Sequence, residues 1–152
     1  MSKVEHTITI NAPIQTVWDK VMDPRKYGEW VTIHRAVKNM SGNLERKGAT
    51  MDQVMHMRGV SFTVHWMLTD VDPPHRAKWD GRGPAGSTAR ITYALSEQGD
   101  GSTRFEYTNE FNTPGGRIGN IATRMIVGDA SDREARNSLE KLKRLLEKVN
   151  AV

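Results

Sequence analysis

Cysteine is missing altogether from the 152 residues. Disulfides, thiolate metal sites and a cysteine nucleophile are therefore excluded. Long apolar runs are missing too: the opening "MSKVEHTITI" has no extended apolar segment. Neither a secretory leader nor stable membrane insertion is expected, and the cytoplasm is the expected location. Nor is charge of one sign concentrated anywhere. The net charge is a modest +4, and Arg46, Lys47, Arg133, Arg136, Lys141, Lys143 and Arg144 lie among carboxylates. A nucleic-acid binder more often shows a basic stripe with aromatic residues between, so nucleic acid is not an expected partner. What remains, 37% hydrophobic and 26% charged residues, suits one polar domain spanning residues 1–152 with a real core.

Several chemical signatures are also absent. "EFNTPGGRIGNIATRM" places glycines before a helical stretch, where a phosphate could sit. The dinucleotide spacing G-x-G-x-x-G after a parallel strand is not there, and neither is the Gly-Lys-Ser/Thr phosphate loop. The five histidines, His6, His34, His56, His65 and His75, are scattered, and each is expected at the surface. Asp52 and His56 have ligand spacing only for a helix, and they lie on a strand pattern. "GPAGSTA" lacks the nucleophile-elbow pattern. No metal and no organic cofactor is expected, and no catalytic residue can be named.

The pattern that is present begins with "VEHTITI", an alternating strand. "NAPIQTVWDKVM" follows as a helix, with Asn11 as N-cap and Ile14, Val17, Trp18 and Val21 at helical spacing. "RKYGEW" fits a second short helix. From about residue 31 to 112, six strands are separated by Gly, Pro and Asp turns: "WVTIHRAVKNM", "GATMDQVMHM", "VSFTVHWMLTDV", "RAKWDGRG", "STARITYALS" and "STRFEYTNEF". They predict a meandering antiparallel sheet. Gly116 to about Lys148 lacks proline and shows helical periodicity, giving a long closing helix. The class is α+β.

Alternation assigns the strand faces. One face takes Val60, Phe62, Val64, Trp66 and Leu68. It also takes Met51, Gln53, Met55 and Met57, then Ile91, Tyr93 and Leu95, then Phe105, Tyr107, Asn109 and Phe111, with Trp79 standing alone. A self-packed core favours Leu, Ile and Val, and buried Trp and Tyr need polar partners. The density of aromatics, with the amides Gln53 and Asn109 among them, predicts a concave face that lines a pocket. On the long helix, steps of seven from Met125 give Ile118, Asp132, Leu139 and Leu146. Gly128 and Ala135 are small residues beside Asp132, so Met125 and Asp132 are expected at the pocket or its mouth. A lone buried carboxylate there would be costly unless hydrated, paired or protonated. A pocket of a few hundred Å³ is expected.

"ITINAPIQTVWDKVMDPRKYGEW", "VDPPHRAKWDGRGP", "GDGSTRFEYTNEF" and the helix ending "SLEKLKRLLE" together resemble the helix-grip fold of the SRPBCC superfamily. That superfamily groups START-type lipid-transfer domains, birch-pollen-allergen-like proteins and polyketide cyclases. The resemblance covers essentially the whole chain and is greatest to the polyketide cyclase/dehydrase-like branch. It implies a curved sheet of about seven strands wrapped on the C-terminal helix, with an apolar cavity between them. Trp66, Ile91 and Tyr107 match positions where aromatase/cyclases put large pocket residues. The inward arginine of those enzymes has no counterpart in "TVHWMLTD".

The ligand-contact set implied is Gln53, Met55, Phe62, Trp66, Trp79, Tyr93, Tyr107, Asn109, Met125 and Asp132. The partner is a small hydrophobic molecule (polyketide, aromatic or lipid), bound by a monomer or homodimer. Two readings stay open. One is cyclase/aromatase-like activity without metal or organic cofactor. The other is a non-catalytic carrier of lipid or hydrophobic metabolite, or an accessory interaction protein.

Overall fold

The computed structural model describes residues 2–57, 59–112 and 129–150. Seven strands follow one another: β1 (Ser2–Ile10), β2 (His34–Ser41), β3 (Thr50–Met57), β4 (Val60–Asp72), β5 (Arg76–Arg82), β6 (Thr88–Glu97) and β7 (Thr103–Asn112). Between β1 and β2 lie helix α1 (Ile14–Val21) and a 3-10 helix (Pro24–Glu29). Helix α2 (Asp129–Asn150) closes the chain. All strands join one antiparallel sheet in the order β1-β7-β6-β5-β4-β3-β2. From β2 to β7 every strand neighbours its successor, so short turns suffice. β1 alone crosses to the far edge, where it pairs with β7. This is the α+β helix-grip architecture that the strand count and the closing helix imply.

The alternation in sequence becomes a two-faced sheet because successive side chains point to opposite sides. In β3, Met51, Gln53, Met55 and Met57 are buried and their neighbours are not. In β4, Phe62, Val64, Trp66 and Leu68 are buried. Leu139, Leu142 and Leu146 of α2 seal against this face, together with Val17, Trp18 and Val21 of α1. The helix is also fastened to the β1 end of the sheet by polar groups. Lys143 Nζ donates to the Thr9 carbonyl, and the Asn11 amide donates to the Glu147 carboxylate at 2.8 Å.

Two local expectations are corrected. Asn11 does not cap α1: the N-cap is Pro13, with no side-chain bond. Pro13 has no N–H to offer, and the Asn11 amide is directed to Glu147 instead. The second strand does not begin at Trp30. The amides of Trp30 and Val31 both donate to the Tyr27 carbonyl, at 3.1 and 2.8 Å. This prolongs the 3-10 turn and delays β2 to His34.

Candidate functional site

A cavity of about 130 Å³ lies between the inner sheet face and α2. It is smaller than the few hundred Å³ expected from the sequence, because the aromatic side chains fill much of the concavity themselves. Gln53, Met55, Phe62, Trp66, Trp79, Tyr93, Tyr107 and Asn109 all line it. Met125 falls outside the described residues. Ile91 lines it as well, beside Tyr27 of the 3-10 helix, Trp30 just after it, and Glu134, Ala135 and Ser138 from α2.

Asp132 does not line the cavity. Its side chain is 41% exposed and lies 2.9 Å from Arg136 and 2.9 Å from His6 Nε2. The His6 contact has ion-pair distance without the alignment of a hydrogen bond. The reason is rotational. At about 100° per residue, the centre of the face formed by Ala135, Ser138 and Leu142 lies roughly 80° from Asp132. Asp132 therefore sits on the flank that meets β1. The stripe drawn through Leu139 and Leu146 follows one border of the buried face.

Tyr27, Trp30, Glu134 and Ser138 were missed by sequence reasoning. The signal for the first pair was the i, i+3 spacing of two aromatics after a Pro break. For the second pair the sequence offers no such signal: the centre of the helix face is fixed only by the burial of Leu142 in the structure. Not all histidines lie at the surface, either. His34 is partly buried under the Tyr27 ring, with centroids 5.7 Å apart and edge-on geometry. His6 keeps only 20% side-chain exposure.

The polar groups inside fall into three sets. In the first, Trp66 Nε1 donates to Gln53 Oε1 at 3.0 Å, and Gln53 Nε2 lies 3.0 Å from His34 Nδ1. Gln53 is buried, and because its amide donates to the ring, Nδ1 is the unprotonated nitrogen. Burial pushes the His34 pKa below its ordinary value, so the neutral ring is favoured. In the second set, Tyr27 and Tyr93 have neighbouring hydroxyls. Burial is the main cause that raises both far above the ordinary phenol range. Tyr107, opposite Tyr93 in the sheet, is pushed up to about 12 by burial, with the Asn109 amide opposing. Its hydroxyl is enclosed although the residue as a whole keeps some exposure. All three phenols stay protonated near neutral pH and can donate hydrogen bonds.

The third set is at the junction of α2 with the loop after the 3-10 helix. The Thr32 amide donates to Ser138 Oγ at 3.0 Å, and Thr32 Oγ1 donates to the Glu134 carboxylate. These bonds tie the loop to the helix across one wall of the cavity. Among the described residues, three buried polar atoms of the lining have no partner: Trp30 Nε1, Trp79 Nε1 and Asn109 Oδ1. No group of three or more His, Asp or Glu that could hold a metal ion occurs among the described residues. None of the described helices is long and apolar enough to cross a membrane.

A seven-stranded sheet gripping a long helix over an aromatic cavity defines a class of ligand-cavity folds, and sequence comparison gives the family. The family described as "Polyketide cyclase / dehydrase and lipid transport" matches residues 1–147, and the chain belongs to it. An uncharacterised protein of Mycobacterium tuberculosis is 28% identical over 137 residues, 85% of this chain and 91% of that protein. Another protein of that organism, named a toxin, is 24% identical over 142 residues, 92% and 94% of the two chains. The crystal structure of the di-domain ARO/CYC StfQ from the steffimycin biosynthetic pathway superposes with a TM-score of 0.70 at 14% identity. The match covers 97% of this chain and 46% of that one. At that identity the likeness is one of fold.

Proposed function

We propose that the protein binds a small, largely apolar molecule in the cavity between sheet and α2, and that it holds this molecule without covalent chemistry. The observation that carries this reading is the cavity itself: about 130 Å³, walled by Phe62, Trp66, Trp79, Ile91 and the tyrosines. A core built only for stability closes such space, because unfilled volume forfeits dispersion contacts. The volume is close to that of engineered apolar cavities that take up benzene, which favours a ligand of about one ring. Family membership supports the same reading.

The chemistry available favours holding over proton abstraction. Tyr27, Tyr93 and Tyr107 are protonated, and His34 Nδ1 is occupied by Gln53. These groups donate and orient. The cyclase/aromatase-like activity draws on the StfQ likeness, but a folded poly-β-ketone needs more room than one ring. A carrier or sensor of a compact hydrophobic metabolite fits the space better.

The test is calorimetric titration with ethylbenzene on the native protein and on Ile91→Trp, which fills the cavity. Saturable one-to-one binding to the native protein, lost in the filled variant, supports the reading. Equal uptake by both, or no uptake by either, overturns it.

A further inference from the structure

The three unpartnered atoms of the lining describe a ligand more specific than an apolar ring. Trp30 and Trp79 are each only 2% exposed, and both indole N–H groups lack a partner. Buried indoles ordinarily find an acceptor, and a buried donor left unsatisfied is costly. Trp66, on the same face, shows the contrast: its N–H is satisfied by Gln53 at 3.0 Å. Among the described residues, the lining therefore supplies an acceptor for one of these three indoles and none for the other two. Asn109 Oδ1 is an unused acceptor in the same cavity.

We propose that the cavity selects a neutral one-ring molecule that carries a carbonyl-type acceptor oxygen, received by the indole N–H of Trp30 or Trp79. This rests on the binding function proposed above and adds the chemical class of the ligand. Neutrality follows from the walls. Among the described lining residues there is no Lys, Arg or His to pair with an anion, and the acid, Glu134, already accepts from Thr32. The enclosed phenols add hydrogen-bond donors without positive charge. A hydroxyl on the ligand would in addition satisfy Asn109. A carboxylate would have to shed its water with no cation among the described lining residues to meet it, at a cost that neutral donors repay only in part.

The experiment compares ethylbenzene, acetophenone and benzoate, which share one ring and differ in acceptor and charge. Titration calorimetry at pH 7.5 should give acetophenone an affinity above that of ethylbenzene, with benzoate weakest. In Trp30→Phe and Trp79→Phe the acetophenone-to-ethylbenzene affinity ratio should fall about tenfold in at least one variant, the worth of a buried hydrogen bond. Taking a ratio cancels any general loosening caused by the smaller ring. In the native protein, acetophenone should also move an indole N–H proton resonance downfield, assigned by its disappearance in one variant, whereas ethylbenzene should not. Ethylbenzene binding with an unchanged ratio and no indole shift would overturn the carbonyl assignment and leave the cavity reading standing. Benzoate binding as tightly as acetophenone would also overturn it. Failure of all three to bind overturns the binding function and this inference together.

Discussion

At the scale of single residues, the organising group is Gln53. Its one amide satisfies the Trp66 indole and the His34 ring from a buried position. Gln53→Leu keeps the volume and removes both bonds. It leaves a buried indole N–H and a ring nitrogen unpaired, so it should cost about 1–3 kcal/mol in urea unfolding. A cost below a few tenths would mean the bonds are not made in solution. His34 adds a pH dependence whose sign follows from its depressed pKa. The unfolded chain binds the proton more readily, near its ordinary value of about 6.5. The contribution of His34 to stability is thus complete above that pH and is lost as pH falls through the folded value. His34→Gln should flatten the stability–pH slope below about pH 6.5 and leave it unchanged at pH 8. An unaltered slope would place the pH sensitivity elsewhere.

Among the elements, the pairing of β4 with β5 shows how a strand makes room for an aromatic ring. Gly81 faces Trp66 in register. A Cβ at Gly81 would come within 2.6 Å of the indole and 2.8 Å of Val64. The glycine therefore lets the ring lie flat over the neighbouring strand, where its N–H reaches Gln53. Gly81→Ala should displace the ring and cost about 1–3 kcal/mol. Gly99→Ala, where the added carbon meets nothing within 4 Å, should stay within about 0.5 kcal/mol. Thermal unfolding of the two variants side by side checks this. The strands were the most legible elements. Their period of two fixes the inward face absolutely, so Gln53, Phe62, Trp66 and Asn109 reach the cavity as the alternation requires. Helix faces were less legible. A period of 3.6 leaves the rotation free until contacts fix it, and a choice of border stripe was enough to misplace Asp132. The 3-10 helix is legible as a short helix, but six residues are too few to fix which face turns inward, so the spacing of Tyr27 and Trp30 alone does not assign them to the cavity.

For the molecule as a whole, the question is whether α2 is a structural seal or a wall of the site. It is both, at different residues. Leu142 is fully buried and does not line the cavity; Leu139 is 2% exposed and does. Truncation to alanine should cost about 2–5 kcal/mol at either position. That is a large fraction of the 5–15 kcal/mol typical of a domain. Both variants should therefore melt earlier by a similar margin. Their ligand behaviour should diverge. Leu142→Ala removes packing between helix and core and leaves the cavity lining intact, so ethylbenzene affinity below the transition should persist. Leu139→Ala adds the volume of its side chain to the cavity. The variant should accept naphthalene, a two-ring molecule that the native 130 Å³ excludes, and bind ethylbenzene less tightly because contacts are lost. Calorimetric titration of both ligands against both variants decides the matter. If Leu142→Ala also admits naphthalene, the helix shifts as a body and the cavity has no fixed size. If neither variant does, the space beside Leu139 closes by relaxation, and ligand size is set by the sheet aromatics alone.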